Sequence, residues 1–227
     1  MMSEVVLDKG SVEVMNHTQD GDLLVVNAAR CSFDKEHDTF DYVKDTKLIN
    51  YLAKHGHVLP FRHPSCTVRI CAPLFVLRQL GKHQVGFSWS EVSRRYIKSE
   101  PYFHTPSKWR KSAENIKQGS SDEFLDEAES HCVQEALKLT YTYSEGAYKA
   151  MLKDGVCPEQ ARMVLPQSMY TTTVTTGTLL GWHHLYKLRT EDHTQKETQE
   201  YALAIGKLMG NLFPVSWEAL NENITSN

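Results

Sequence analysis

Apolar and polar positions alternate along the chain in blocks of two periods. In residues 42–55, Val43, Leu48, Ile49, Leu52 and Ala53 recur at helical spacing and Gly56 follows, which predicts a helix with a glycine stop. Residues 65–71 are β-branched and alternating, which predicts a strand. Pro73 then opens a helix at its first turn. That helix turns Leu74, Phe75, Leu77 and Leu80 inward and presents Arg78, Gln79 and Lys82 near its end. A long helix is predicted from Ser120 and Ser121 to about residue 154, with Leu125, Ala128, Cys132, Ala136, Leu139, Tyr143, Ala147 and Met151 along one face. Pro158 opens a shorter helix that stops before Pro166. The threonine-rich residues 169–176 predict a strand, and Gly177 turns the chain into a helix carrying Leu179, Leu180, Trp182, Leu185, Tyr186 and Leu188. A last helix over about residues 194–212 shows Tyr201, Ile205, Leu208 and Met209, with Trp217 and Leu220 docking a final turn beyond Pro214.

Three stretches read less regularly. The first twenty residues carry little pattern and are expected to pair loosely or fray. Residues 23–27, Leu-Leu-Val-Val-Asn, predict a short core strand. Residues 98–121, interrupted by Pro101 and Pro106, predict a polar excursion. With no repeat and no clear linker, the pattern predicts one compact α/β or α+β domain.

Composition narrows the function classes. The chain has 227 residues, 41% hydrophobic and 23% charged, enough apolar material for a core. A net charge of −3 argues against a general nucleic-acid or membrane binder. No targeting segment or bilayer-length apolar run is visible, which predicts a cytoplasmic protein. The five cysteines form no C-x-x-C and no paired spacing, so neither a disulfide framework nor a cysteine zinc site is expected. His55, His57 and His63 match no standard zinc spacing, and no metal is expected.

Candidate chemistry concentrates in residues 78–96. Arg78, Lys82, Arg94, Arg95 and His83 crowd around one acid, Glu91, with hydroxyls at Ser88, Ser90 and Ser93 between them. Guanidinium forks and serine hydroxyls together suit the grip of a phosphate. On charges alone, a basic surface loop with a few weak ion pairs remains the alternative.

These residues also carry a family resemblance. The stretch Arg78-Gln79 through Glu91-x-Ser93-x-Arg95-Tyr96 resembles the signature of the flavin-dependent thymidylate synthases. Further matching blocks are Ala161-Arg162 to Pro166 with Tyr170-Thr171, and Leu188-Arg189 followed by His193 and Gln195. Lesser echoes lie at residues 29–33 and 54–61, and the match runs in register over roughly residues 20–215. The resemblance implies a central, mostly antiparallel sheet flanked by helices in a single domain. It implies conversion of dUMP to dTMP, with the carbon from methylenetetrahydrofolate and the electrons from NADPH through bound FAD. It also implies a homotetramer whose active sites are shared between subunits; the net charge predicts no nucleic-acid or membrane partner.

Carried over residue by residue, Gln79, Lys82, Glu91, Ser93, Arg94, Arg95 and Arg162 fall where the family holds dUMP. Arg189 falls on the arginine that promotes ionisation at N3 of the uracil, the one catalytic assignment. His57, Lys82, His83, Gln84, Glu91, Thr178, His184 and His193 fall at or near flavin-contact positions. The chain departs from the family on the flavin side. The usual Arg-His-Arg reads Lys82-His83-Gln84, one extra residue precedes Glu91, Asn-x-Arg reads Thr178-Leu179-Leu180, and the asparagine one turn later is His184. Those departures keep two alternatives open: a sister enzyme adding another one-carbon group to C5 of dUMP, and a nucleotide-binding homologue without catalysis. Cys157-Pro158 reverses the order of the cysteine-dependent thymidylate synthases, so a covalent cysteine mechanism is not expected.

Overall fold

The computed structural model describes residues 2–97, 99–113 and 120–223. The chain opens with strands β1 (Ser3–Val6) and β2 (Gly10–His17), then helix α1 (Gly21–Arg30) and helix α2 (Lys44–Lys54). Strand β3 (Ser65–Pro73) leads into helix α3 (Leu74–Leu80), and strand β4 (Phe87–Glu91) follows. Helix α4 (Glu127–Lys153) and the short helix α5 (Pro158–Ala161) precede strand β5 (Tyr170–Thr178). Helices α6 (Leu179–Arg189), α7 (Lys196–Leu212) and α8 (Pro214–Asn223) complete the chain. The strands form one sheet in the order β1-β2-β3-β5-β4, and every pairing is antiparallel. The expected antiparallel sheet flanked by helices is therefore present.

One face of the sheet is the core face. Val12, Val14, Val68, Ile70 and Ala72 are buried on it, packed with Leu77 and Leu80 of α3, Leu185 of α6 and Ile205 of α7. Trp182, fully buried, donates from Nε1 to the carbonyl of Cys66 at 3.1 Å and so locks α6 to β3. The other face is polar: Thr67 and Thr176 share a hydrogen bond at 2.8 Å, and Arg69 pairs with Glu13 at 3.3 Å.

The central pair β3–β5 sets the site. Its register runs from Ser65 opposite Thr178 to Pro73 opposite Tyr170. Because the strands are antiparallel, α3 leaves one end of the pair and α6 leaves the other. Nine-residue strands span ~30 Å, whereas helices of seven and eleven residues rise only ~10 and ~16 Å. Running back over the core face, the two helices therefore meet near their C-terminal ends.

Several sequence expectations need correction. Residues 23–27 are helical, inside α1, where Val25 and Val26 face the core. A four-residue apolar run cannot distinguish a buried strand from a helix face, and here the helix wins because Asp22 accepts the backbone N–H groups of Val215 and Ser216 at 3.0 and 2.9 Å. The first residues are not frayed but form the β1–β2 hairpin, with Val12 and Val14 alternating inward. Residues 87–91, for which the periodicity predicts no element, pair with β5 as β4. Helix α4 starts at Glu127, later than expected, because Asp126 and Glu129 form a reciprocal capping box. The expected apolar face of α4 is not core: Leu139 is 55% and Tyr143 76% exposed, and Tyr148 is the buried residue of the helix. Of the polar excursion, residues 98 and 114–119 lie outside the described residues.

Gly177 sits where β4, β5 and α6 converge. A Cβ there would stand 2.5 Å from the Phe87 ring and 2.8 Å from Trp182. Gly177→Ala is expected to destabilise the protein by about 1–3 kcal/mol, read as a lowered midpoint in thermal or urea unfolding, since the close-packed rings have to shift. An unchanged midpoint would contradict this packing.

Candidate active site

Where α3 and α6 meet, Arg189 holds the junction. Its Nε donates to His83 Nε2 at 3.1 Å and its Nη2 to the carbonyl of Gln79 at 3.0 Å. Both helices end here, so their carbonyl ends face a cation, the favourable polarity. Burial, then the charge of Arg189, then His184, push the His83 imidazole down to about 4. His83 is therefore neutral near pH 7 and is free to accept from Arg189.

The junction continues through a line of polar side chains. Gln79 Nε2 donates to Gln195 Oε1 at 2.6 Å, and Gln195 Nε2 donates to Glu197 Oε2 at 3.0 Å. Arg110 Nη2 donates to Glu197 Oε1 at 2.6 Å. Burial works to raise the Glu197 carboxyl, but the Arg110 hydrogen bond leads the interactions that hold it below the ordinary value, so it stays ionised. Gln79, Arg189, His193, Gln195, Lys196 and Arg110 line a cavity of about 460 Å³.

A second cavity, of about 540 Å³, opens off a different face of α3. Arg78, Glu91, Ser93, Arg94, Arg95 and Arg162 line it, with Thr171 of β5. Burial raises the Glu91 carboxyl, while Arg162 and Arg78 oppose the rise. Ser93 Oγ accepts from the backbone N–H and Nε of Arg95 at 3.3 and 3.4 Å, and Arg95 also reaches Glu159 at 3.4 Å. Three guanidinium groups, Arg78, Arg95 and Arg162, thus share a cavity with a hydroxyl, a donor set that suits a phosphate. Arg94 differs from these. It is buried, lies over the Tyr148 ring and donates to the carbonyls of Ser99 and Glu100, so its fork holds the following loop rather than the cavity.

The sequence-predicted residues therefore fall into two groups. Glu91, Ser93, Arg94, Arg95 and Arg162 come together in one cavity, and Gln79, Arg189 and His193 in the other. Arg78 and Gln79 are consecutive on α3 and face different cavities, as a turn of about 100° per residue requires. Of the flavin-assigned residues, Thr178 caps α6 by accepting the Gly181 N–H at 3.1 Å, and His184 stands exposed one face over, close enough to Arg62 to be affected by its charge. Lys82 and Gln84 are exposed, Gln84 folding back onto the Gly81 carbonyl. His57 is exposed beside the Tyr51 ring at 6.1 Å, and His193 pairs with Glu191 at 3.2 Å. Leu180 is buried in the core, so the departure at that position faces away from any ligand. Sequence reasoning missed Arg62, Arg110 and Glu197, which belong to no local motif.

The sequence matches the family described as thymidylate synthase complementing protein (Thy1) over residues 13–215. The chain belongs to this family. A flavin-dependent thymidylate synthase of Thermus thermophilus is 36% identical over 219 residues, covering 96% of this chain and 78% of that one. One from Kosmotoga olearia is 37% identical over 217 residues, covering 94% of this chain and 91% of that one. The crystal structure of the UMP/dUMP methylase PolB from Streptomyces cacaoi bound with 5-Br dUMP superposes with a TM-score of 0.85 at 28% identity, covering 96% of this chain and 97% of that one.

In this Thy1 chain Arg62 and His184 are solvent-exposed donors that lie close together. Such groups suit the diphosphate of a dinucleotide. Among the described residues, no group of three or more His, Cys, Asp or Glu side chains is placed to hold a metal ion.

Two histidines make stability depend on pH. His183 is fully buried against Trp217, and burial leads the effects that push it down to about 4, as with His83, while the nearby Asn221 side chain opposes the shift. Unfolded histidine titrates near 6.5, so the unfolded chain binds the extra protons more readily. The stability is present above pH 6.5 and is lost as pH falls toward 4. For His183 the loss amounts to about 3 kcal/mol. Thermal melts from pH 7 to 4 are expected to show a falling midpoint, and His183→Phe is expected to flatten that fall. A parent midpoint level across this window would contradict the assignment.

Proposed function

We propose that the protein is a flavin-dependent thymidylate synthase that methylates dUMP at C5, taking the carbon from methylenetetrahydrofolate and the electrons from NADPH, with FAD as cofactor. The observation that carries this reading is the pairing of two sites: a guanidinium-and-hydroxyl pocket at Arg95, Arg162 and Ser93, and a half-buried guanidinium at Arg189. A dUMP phosphate is nearly a dianion, and Arg78, Arg95, Arg162 and Ser93 supply charge-assisted donors to it. Glu91 lies close enough to Arg162 and Arg78 to feel their charges.

Uracil C5 is a weak nucleophile until electron density moves into the ring. In this reading Arg189 stabilises the negative charge left on N3 and O4 when N3 loses its proton, the form of the ring whose C5 is nucleophilic. Its partners, the Gln79 carbonyl and neutral His83, fix its plane without cancelling its charge. Burial lowers the guanidinium from its ordinary value, yet arginine stays protonated, so it acts as a fixed cation and not as an acid. Bound FAD supplies the hydride chemistry that no side chain provides. Arg62, Lys82, His83, Thr178 and His184 would hold it.

In this reading a complete site draws on two copies of the chain. The phosphate pocket and the Arg189 cavity open off different faces of α3, and the exposed apolar face of α4 with Leu139 and Tyr143 is available for assembly. A homotetramer acting in the cytoplasm on a free nucleotide fits these features. Among the described residues no helix is long and apolar enough to cross a membrane.

Arg189→Ala is expected to lower turnover at least about a thousandfold while dUMP still binds, because a preorganised cation at the developing charge is removed. Arg95→Ala and Ser93→Ala are expected to weaken dUMP binding about tenfold or more, measured by calorimetric titration. Mass analysis of the product checks the reaction: dTMP from dUMP is expected, and another one-carbon adduct, or a protein that takes up no flavin, would overturn the reading.

A further inference from the structure

We propose that a third cavity, beside the Arg189 cavity, binds the adenosine end of NADPH, with Lys108 on its 2′-phosphate. The inference rests on the proposed use of NADPH and adds where that co-substrate is held.

The cavity has a volume of about 400 Å³, the size of a small-molecule site. Phe75 of α3, Pro106 and Trp109 of the segment before α4, and Leu137 and Tyr141 of α4 form its apolar walls. Leu137 and Tyr141 are one helical turn apart and so share a face. The polar ends of the two larger rings are engaged elsewhere. Tyr141 Oη donates to the His104 carbonyl at 2.6 Å, and Trp109 Nε1 donates to Gln134 Oε1 at 3.2 Å. These side chains therefore offer the cavity hydrocarbon and ring surface, which suits a flat heterocycle.

Charge narrows the ligand. Glu197 and Arg110 also line the cavity, but they neutralise each other at 2.6 Å. Lys108 lines it as well, is exposed, and holds its ammonium 5.3 Å from the centre of the Phe124 ring. Among the described residues Lys108 has no carboxylate partner. An apolar slot with one unmatched ammonium beside it takes an aromatic ring that carries an anion close by.

Position narrows it further. Phe75 lines this cavity, and Gln79, one turn later on α3, lines the Arg189 cavity. Arg110 and Gln195 line both. The two spaces are neighbours, so a molecule longer than either reaches from one into the other. In the proposed reaction NADPH has this form, with a phosphate on the ribose next to its adenine and a nicotinamide at the far end. The folate carries its carboxylates on a flexible glutamyl chain, away from its rings. Adenine thus fills the slot, Lys108 pairs with the 2′-phosphate, and the nicotinamide half is left for the Arg189 cavity. NADH offers Lys108 a hydroxyl in place of that phosphate, so the same cation selects the phosphorylated dinucleotide.

The test is calorimetric titration of the full-length protein with adenosine 2′,5′-bisphosphate in saturating dUMP. Lys108→Gln and Leu137→Trp are run alongside, with thermal melts to confirm folding. Saturable binding is expected in the parent. Lys108→Gln is expected to weaken the bisphosphate about tenfold or more and to leave 5′-AMP unchanged. Leu137→Trp, which fills the slot, is expected to weaken both. In turnover, Lys108→Gln is expected to raise KM for NADPH about tenfold with kcat held, and to leave KM for NADH unchanged. A merely structural role would move both dinucleotides alike. Bisphosphate bound only in the absence of dUMP, or displaced by 4-aminobenzoyl-glutamate, overturns the proposal, as do folded variants with the parent values. If Leu137→Trp fails to fold, Lys108→Gln decides. The titration needs neither flavin nor turnover, so the two readings fail separately. A protein that makes dTMP yet binds no bisphosphate overturns this inference alone, and one that binds bisphosphate yet makes no dTMP overturns the proposed function.

Discussion

The contact on which the site depends is Arg189 bridging the ends of two helices that leave the sheet at opposite edges. Both α3 and α6 bring carbonyl termini into a half-buried junction, and a guanidinium satisfies one of those carbonyls directly. Burial makes the arrangement demanding. A desolvated cation needs acceptors, and the junction provides the Gln79 carbonyl and a histidine kept neutral by the same burial. The length of the β3–β5 pair makes this meeting possible, because the two helices together nearly span it. Change the register of that pair and Arg189 loses its seat.

Helix α3 has a second consequence. Its last turn sends Arg78 toward the anion pocket and Gln79 toward the Arg189 cavity. The net charge of the chain is slightly negative, so these cationic groups are a local concentration and not a general basic surface. Apolar side chains left exposed along α4 belong to the same logic. Helix α4, of 27 residues, buries Tyr148 and leaves Leu139 and Tyr143 exposed.

Elements with long, regular periodicity were legible in the sequence: the helix at residues 42–55, the strand at 65–71, the proline-opened α3 and the threonine-rich β5. The misses have physical causes. Residues 23–27 are too short a run for periodicity to decide between strand and helix, and the deciding interactions come from α8, nearly two hundred residues on. The β1–β2 hairpin alternates over only a few residues, and its partner β3 comes fifty residues later. In α4 the helical period was right, but the apolar face does not meet this chain's core. The site shows the same division. Arg95, Arg162 and Arg189 lie in local motifs and were found, whereas Arg110 and Glu197, 87 residues apart, become partners only when the chain folds.

The most direct measurement of this account is complementation between two defective chains. Arg95→Ala removes the phosphate pocket's fork and Arg189→Ala removes the ring-facing cation, and at a dUMP concentration too low to saturate Arg95→Ala each alone is expected to run far below the parent. If one site draws its phosphate clamp and its base edge from different copies, mixed assemblies of the two variants contain sites built from two intact halves, and a clear fraction of parent activity returns. A mixture that assembles normally yet stays as inactive as either variant would contradict the account.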